Sequence, residues 1–244
     1  MLKKLHYFNL KSWSAWSFGE LSECLAGENL KQGTPKLDKI NAMVKRRMPK
    51  LAKYIYELNQ ALLTTLQDTK LEKKHEIQQR HIIPTIYASK NAELCRTFKI
   101  IRSFSSDVSP AQFSMSVHNA IAGLLSVIDA DTSPYSVIDS LSGTLETAIL
   151  EAISLFSEHQ YVKIIYFDEE LPQELDSSFT NSPNRPVVLS LLIEKGRQYA
   201  LDFESNKQQK TCENLPELVA LLSAKKSSYS CITPRLKWTW HKSA

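Results

Sequence analysis

Cysteine is scarce in this chain of 244 residues, and its spacing argues against two common kinds of site. The four cysteines, Cys24, Cys95, Cys212 and Cys231, lie far apart, and none belongs to a Cys-x-x-Cys pair. Both a metal centre and a disulfide framework need a tighter or more regular spacing. We therefore expect reduced thiols in a cytosol, with no metal site and no other cofactor.

Long hydrophobic runs are also lacking. Nowhere do 18 apolar residues follow one another, so no membrane span is expected. The first residues include two lysines, but polar residues interrupt the apolar run that a signal peptide needs. The sequence therefore predicts a soluble, cytoplasmic protein.

An excess of one charge is almost absent. The chain has 30 Lys and Arg against 26 Asp and Glu, a net charge of +4, which is too small to indicate nucleic-acid binding. This charge is compatible with a local contact to an acidic partner. The length allows one large domain or two small ones, and we predict a single domain over residues 1–244.

Strand patterns alternate with helical patterns along the chain. The predicted strands are Leu5–Trp16, Ile82–Ser89, Tyr161–Glu170, a pair joined by a turn at Lys195–Arg197, and the alternating tail Arg235–Trp240. The predicted helices are Leu37–Leu66 with a break at Pro49, a helix capped by Ser89 or Asn91 that ends near Phe104, Val117–Ile128 and Leu215–Ala224. Loops are predicted at Asp68–His81, Ser106–Ser116 and Leu171–Pro186. This order predicts an α/β fold with a mixed, mostly parallel sheet covered by helices on both faces.

The stretch "YSVIDSLSGTLETAILEAI" (Tyr135–Ile153) predicts a short strand, a tight bend and an amphipathic helix. Acyl-transfer enzymes place a nucleophile in such a bend, at the positive end of the helix. No cysteine lies here, and the next histidine is His159. Ser140 and Ser142 are therefore either residual nucleophiles or caps that accept hydrogen bonds from the N–H groups at the start of the helix near Gly143.

Three segments together resemble the N-terminal half of the β-ketoacyl synthases, which have a thiolase-like fold. They are "VKRRMPKLAKYIYELNQAL" (Val44–Leu62), "SPAQFSMSVHNAIAGLL" (Ser109–Leu125) and "SPYSVIDSLSGTLETAILEAI" (Ser133–Ile153). Their order and spacing match those of the family, and the resemblance is strongest between residues 44 and 170. It implies a thiolase-like fold for this chain.

The resemblance places Ser142 at the position of the catalytic cysteine of these enzymes, with Ser140 as the near alternative. Condensation needs a thiolate that accepts an acyl chain and returns it to a carbanion. The family also takes two histidines from a C-terminal half, which we expect to be missing here. The resemblance therefore implies a subunit with no catalytic residue.

Within this family, the chain resembles the short ketosynthase-like chain length factors of bacterial aryl polyene pathways. Many full-length factors carry Gln where this chain has Ser142. The resemblance implies a heterodimer with an active β-ketoacyl synthase and contact with an acyl carrier protein, without nucleic acid. The implied residues at the partner interface and acyl tunnel are Gln112, Phe113, Met115, Ser116, His118 and Asn119, and those for carrier docking are Lys45, Arg46, Arg47 and Lys50.

Each of these assignments has a simpler alternative. Phe113 and Met115 suit a hydrophobic core as well as an interface, the basic residues suit a solvated helix face, and His118 suits a hydrogen-bonded structural role. The function also has two rivals. One is a serine-dependent enzyme acting on acyl thioesters through Ser142, as a thioesterase, decarboxylase or acyltransferase. The other is a homodimeric protein that binds a carrier protein.

Overall fold

Eight strands form one sheet in the computed structural model, which describes residues 5–16, 18, 29–68, 82–103, 108–140, 142–170, 186–206 and 214–243. The strands are β1 (His6–Trp16), β2 (Leu30–Lys31), β3 (Thr85–Ala88), β4 (Tyr135–Ile138), β5 (Tyr161–Asp168), β6 (Val187–Ser205), β7 (Ser228–Ile232) and β8 (Leu236–Lys242). The helices are α1 (Ala42–Arg47), α2 (Lys50–Asp68), α3 (Leu94–Arg102), α4 (Pro110–Ser114), α5 (Ala120–Asp129), α6 (Thr144–Ser154) and α7 (Leu215–Leu222), and a 3₁₀ turn (Leu155–Ser157) follows α6.

The order of the strands is β2-β1-β6-β5-β3-β4, and β8 and β7 extend the sheet from the second half of β6. Strand β3 pairs in parallel with β4 and β5, and β1 pairs in parallel with β2. Strand β6 is antiparallel to β1, β5 and β8, and β7 is antiparallel to β8. Only β6 and β7 run against the other strands described here, which confirms the predicted mixed, mostly parallel sheet.

Helices cover both faces of this sheet, as predicted. In β5, Ile164 packs in the hydrophobic cluster that contains α6 and α7, whereas Ile165 packs in the cluster that contains α2 and α5. Leu189 and Val188 of β6 divide between the two clusters in the same way. Strands buried on both faces explain why their sequences are almost continuously apolar.

Strand β6 corrects the predicted hairpin at Lys195–Arg197. The chain does not reverse there, because residues 195–198 form a bulge between the pairs Phe8↔Tyr199 and Asn9↔Glu194. The Asn9 side chain occupies the inside of this bulge: Gln198 N–H donates to Asn9 Oδ1 at 3.0 Å, and Leu10 N–H donates to Gln198 Oε1 at 3.0 Å. A Cβ at Gly196 would collide with Asn9. Glycine therefore marks a bulge rather than a turn.

Three boundaries also differ from the prediction. Helix α3 begins after Glu93 and has no side-chain cap bond, so neither Ser89 nor Asn91 caps it. The predicted loop Ser106–Ser116 contains α4, and α5 begins only at Ala120. Within the predicted helical stretch Leu37–Leu66, regular helix begins at Ala42, and α2 begins directly after Pro49.

Strand β7 was not predicted, whereas the alternating tail is strand β8, as expected. The predicted connector beyond Asp68 and the predicted loop before Pro186 lie outside the described residues, as do Cys24 and Cys212. No helix in the described part of the chain combines the length and the apolar character that crossing a bilayer would require.

Candidate functional site

The carboxyl ends of the parallel strands β3, β4 and β5 lie at the same end of the sheet, where open α/β sheets commonly bind ligands. Residues 139, 140, 142 and 143 belong to the bend that follows β4 at this end, and Ser89 N–H donates to the carbonyl of Ile138 at 3.1 Å. Leu62, in the second half of α2, packs with Ile83 and Tyr161 at the amino ends of β3 and β5, so α2 begins towards their carboxyl ends.

Asp168, at the end of β5, is completely buried and fixes the loop after β3. Its Oδ1 accepts hydrogen bonds from Ser89 Oγ at 2.8 Å and from Asn91 N–H at 2.7 Å. Ser89 Oγ in turn accepts from Ala92 N–H at 2.7 Å. A carboxylate satisfied in this way holds structure rather than acting as a free base. Ser89 and Asn91 therefore anchor the turn before α3 instead of capping the helix.

The serines of the bend do not cap α6, contrary to the prediction. Ser140 Oγ donates to the carbonyl of Ser142 at 2.8 Å, and Thr144 Oγ1 donates to the carbonyl of Ser140 at 2.7 Å. The N-cap residue is Gly143, with φ of +70° and no side-chain cap bond. The hydroxyls of Ser140 and Thr144 therefore bond to carbonyl groups of the bend rather than to the free N–H groups of α6.

Two histidines that could assist Ser142 as bases, His159 and His241, are remote from it or otherwise engaged. Helix α6 spans about 16 Å, and it separates Ser142 from His159 at its far end. His241 Nε2 lies 3.2 Å from Asp202 Oδ2, between β8 and β6. The Nε2 atom of His118 is buried and has no hydrogen-bond partner among the described residues.

Strand β8 packs two tryptophans against the start of α6. A Cβ at Gly143 would lie 2.6 Å from Trp238 Nε1, so the indole lies directly on the glycine. Trp240 Nε1–H donates to Glu146 Oε1 at 3.0 Å, and Glu146 is buried in the first turn of α6, where a carboxylate is favoured. Sequence reasoning missed these two residues, although the alternation in "KWTWH" places both indoles on one face of a strand.

Cys95 lies near the carboxyl end of β5 and does not replace the missing thiolate. Its Sγ donates to the carbonyl of Glu170 at 3.2 Å. Burial, together with the negative charge of Glu169, raises the pKa of the Cys95 thiol to about 11. The thiol is therefore protonated at neutral pH, and a protonated thiol is a poor nucleophile.

The predicted interface residues lie on and after α4, mostly at the surface. Phe113 is 62% exposed, so it is not a core residue, and Val117, which was not predicted, is 43% exposed beside it. Gln112 and Asn119 are exposed, whereas Met115, Ser116 and His118 are half-buried. Thr97 Oγ1 donates to the carbonyl of Ser116 at 3.2 Å, which ties this segment to α3.

The predicted docking residues form a basic cluster from the last turn of α1 to the first residue of α2. Arg46, Arg47 and Lys50 are exposed and Lys45 is half-buried. No acidic residue within the described ranges forms an ion pair with these four side chains. The cluster lies at the end of the sheet where the bend lies, which gives that end a positive surface.

Comparisons with known proteins agree with this architecture. The family model of the β-ketoacyl synthase N-terminal domain matches residues 13–241. The structure of a ketosynthase (ApeO) in complex with its chain length factor (ApeC) from Xenorhabdus doucetiae is similar, with a TM-score of 0.72 and 19% identity over 97% of this chain and 99% of that one. The ishigamide ketosynthase/chain length factor is similar with a TM-score of 0.52 and 11% identity over 75% of this chain, which corresponds to 55% of that chain. No curated protein matches the chain.

Gly143→Ala should lower the free energy of unfolding by about 2–4 kcal/mol. Alanine is strained in the left-handed conformation of this residue, and its Cβ would meet the Trp238 indole. The matched control is Gly123→Ala in α5, whose Cβ would meet only the Tyr135 hydroxyl at 3.7 Å. That change should be neutral or stabilise by up to about 1 kcal/mol, as expected for alanine in a helix. Urea denaturation followed by circular dichroism measures both. Equal effects of the two substitutions would contradict the packing of Trp238 on the bend.

Proposed function

The chain belongs to the β-ketoacyl synthase N-terminal domain family, and on this premise we propose that it is a chain length factor. In this role it does not condense acyl units itself. It pairs with an active β-ketoacyl synthase, helps to bound the acyl tunnel, and serves polyene or polyketide chain elongation on an acyl carrier protein. The partner supplies the thiolate and the bases.

The observation that carries this proposal is the closed bend after β4. A condensing site needs a thiolate with room for an acyl thioester. Here the bend contains serine, the Ser140 and Thr144 hydroxyls donate to carbonyl groups within it, and Trp238 covers the adjoining glycine. The shape of a nucleophile bend is retained, but the half-buried residue at the expected nucleophile position is Ser142.

The similar fold from Xenorhabdus doucetiae supports the same proposal. The likeness extends over nearly the whole of both chains, so the two chains have matching size as well as fold. The name of that structure describes a ketosynthase bound to its chain length factor. A subunit with this fold and length is therefore suited to pair with a ketosynthase.

The exposed edge at β4 supports a heterodimer. Strand β4 is the last strand of the sheet, none of its residues is fully buried, and edge strands offer unpaired backbone groups to a partner. Helix α5 lies beside β4, with Gly123 close to the Tyr135 hydroxyl, and its Val127 is 78% exposed. Phe113 and Val117 add apolar surface just before α5. Exposed apolar side chains beside an open strand edge are typical of a surface that another subunit covers.

Phe113→Glu should abolish co-purification with a co-expressed ketosynthase, because it places a charge in the proposed interface. We expect the affinity to fall by about 30-fold or more. The matched control is Met43→Glu on α1, since Met43 is 64% exposed and lies outside the proposed interface. Affinity pull-down, size-exclusion chromatography and condensation assays measure the result. A ketosynthase that is soluble and fully active alone would contradict the proposed role.

The isolated chain should form no acyl adduct when it is incubated with an acyl thioester of the carrier protein. Intact-mass spectrometry should give the same unmodified mass for the native chain and for Ser142→Ala. The rival serine-dependent enzyme predicts an adduct on the native chain that Ser142→Ala removes. Observing that adduct would replace the proposed function with the rival.

Replacing Arg46, Arg47 and Lys50 with Glu should weaken binding of the acyl carrier protein to the heterodimer by about tenfold or more, because exposed charges steer an acidic partner. The matched control replaces Lys36, Lys39 and Lys225, which are exposed elsewhere, with Glu. Surface plasmon resonance at low and high salt measures both, and the difference should shrink as salt screens the charges. Equal losses in the two variants would show that net charge, not this cluster, matters.

A homodimer that binds the carrier protein but no ketosynthase would instead support the homodimeric alternative.

A further inference from the structure

Lys163 is a lysine in the middle of the sheet whose side chain is almost fully buried. It lies on β5, between β3 and β6, and only 6% of the residue is exposed. Its side chain points to the face of the sheet that α2 and α5 cover, because Ile165, two residues further along the strand, packs in their cluster. Lysine is almost never fully buried unless it is paired, so the groups around this side chain indicate what it does.

The Lys163 side chain lines a small polar cavity between the sheet and these two helices. The cavity has a volume of about 10 Å³, which is room for a single water molecule. Asn59 of α2 also lines it and is only 2% exposed, and its Oδ1 has no hydrogen-bond partner among the described residues. Asp129 and Asp131 line it from α5 and from the loop after α5. The cavity therefore brings two carboxylates and an amide oxygen close to a buried ammonium group.

Lys163 makes no direct contact with these carboxylates. No acidic residue in the part of the chain that the structure describes forms an ion pair with it. Burial lowers the pKa of Lys163, whereas the negative charges of Asp131 and Asp129 act in the opposite direction. A separation too long for an ion pair, across a cavity of this size, suits an interaction through one bridging water.

The same cavity reaches the edge strand β4. Lys163 pairs with Thr85 of β3, and Thr85 pairs with Tyr135 of β4, so the three side chains form one row across the sheet. Tyr135 lines the cavity and is 41% exposed at the edge. Asp131 lies in the loop that leads into β4, where its Oδ1 accepts a hydrogen bond from Ser133 N–H at 2.9 Å. A group that holds Asp131 therefore also fixes the loop from which β4 begins.

We propose that Lys163 is a positioning residue for the strand edge by which this chain pairs with its partner. Its ammonium group holds Asp131 through a single water, and Asp131 holds the loop that leads into β4. An edge that is ordered before binding loses less entropy on association, so this arrangement strengthens the pairing. The pairing with a ketosynthase rests on the proposed function, whereas the fixed loop is a property of the chain by itself.

Hydrogen–deuterium exchange of the full chain tests the fixed loop. Lys163→Met keeps a long side chain without its charge, so the amides of residues 131–138 should exchange about tenfold or more faster. Asp131→Asn keeps an acceptor for Ser133 N–H but removes the charge, and it should have the same effect. The double variant should exchange no faster than either single variant, because both changes break one interaction. The control Lys39→Met removes an exposed lysine that does not line the cavity, and it should exchange like the native chain.

Urea denaturation separates positioning from a role in overall stability. Because a buried charge is costly, Lys163→Met should leave the urea midpoint at neutral pH unchanged or raise it, although the loop exchanges faster. The lowered pKa means that the unfolded chain keeps this proton to higher pH than the folded chain does. The native chain should therefore gain stability between about pH 8 and about pH 10, and Lys163→Met should lack this gain. The other titratable groups that line the cavity, Asp129, Asp131, Tyr87 and Tyr135, are the same in both chains.

Affinity for a co-expressed ketosynthase tests the pairing. Lys163→Met should bind it about tenfold or more weakly than the native chain does, and Lys39→Met should bind it equally well. If the native chain and Lys163→Met bind equally, the role in pairing is overturned and the proposed function stands. If no ketosynthase binds the native chain, the proposed function and the role in pairing both fail, and the exchange experiment alone decides whether Lys163 holds the loop.

Two exchange results would overturn the fixed loop. The first is unchanged exchange of residues 131–138 in both Lys163→Met and Asp131→Asn. The second is faster exchange throughout the chain together with a lower urea midpoint, because Lys163 would then serve overall stability alone. Asp131→Asn decides both the exchange and the pairing should Lys163→Met fail to fold.

Discussion

The packing of the Trp238 indole on Gly143 is the contact on which the closed bend depends. It joins strand β8 to the start of α6, and the Trp240–Glu146 hydrogen bond holds the same two elements together one turn further on. Large aromatic side chains contribute much of the burial energy of a core. The bend is thus closed by the body of the fold, and opening it would require β8 to separate from α6.

Strand β6 brings β8 to this position. Its first half lies between β1 and β5, and its second half continues past the bulge to pair with β8. The two hydrogen bonds between the Asn9–Leu10 segment and Gln198 keep β6 continuous where Gly196 and two charged residues would otherwise favour a reversal. The bulge therefore aligns the strand that carries Trp238.

The sequence predicts the elements of this fold better than their contacts. The periodicity of α6, the apolar run of β5 and the break at Pro49 are local, and the structure confirms them. The continuation of β6 depends on the Asn9 side chain, which is far away in sequence, so Gly196 alone suggested a turn. The spacing of Ser142 from the strand placed it in the bend. The directions of the hydrogen bonds there depend on the positive φ of Gly143, which adjoining residues do not reveal.

The small net charge of the chain conceals a local concentration of positive charge between α1 and α2. Under the proposed function, the exposed arginines there attract a carrier protein from solution, where ions screen them strongly. Charges of this kind accelerate the encounter with a large partner more than they strengthen the final complex. They are therefore suited to a carrier protein that must bind and leave in each cycle.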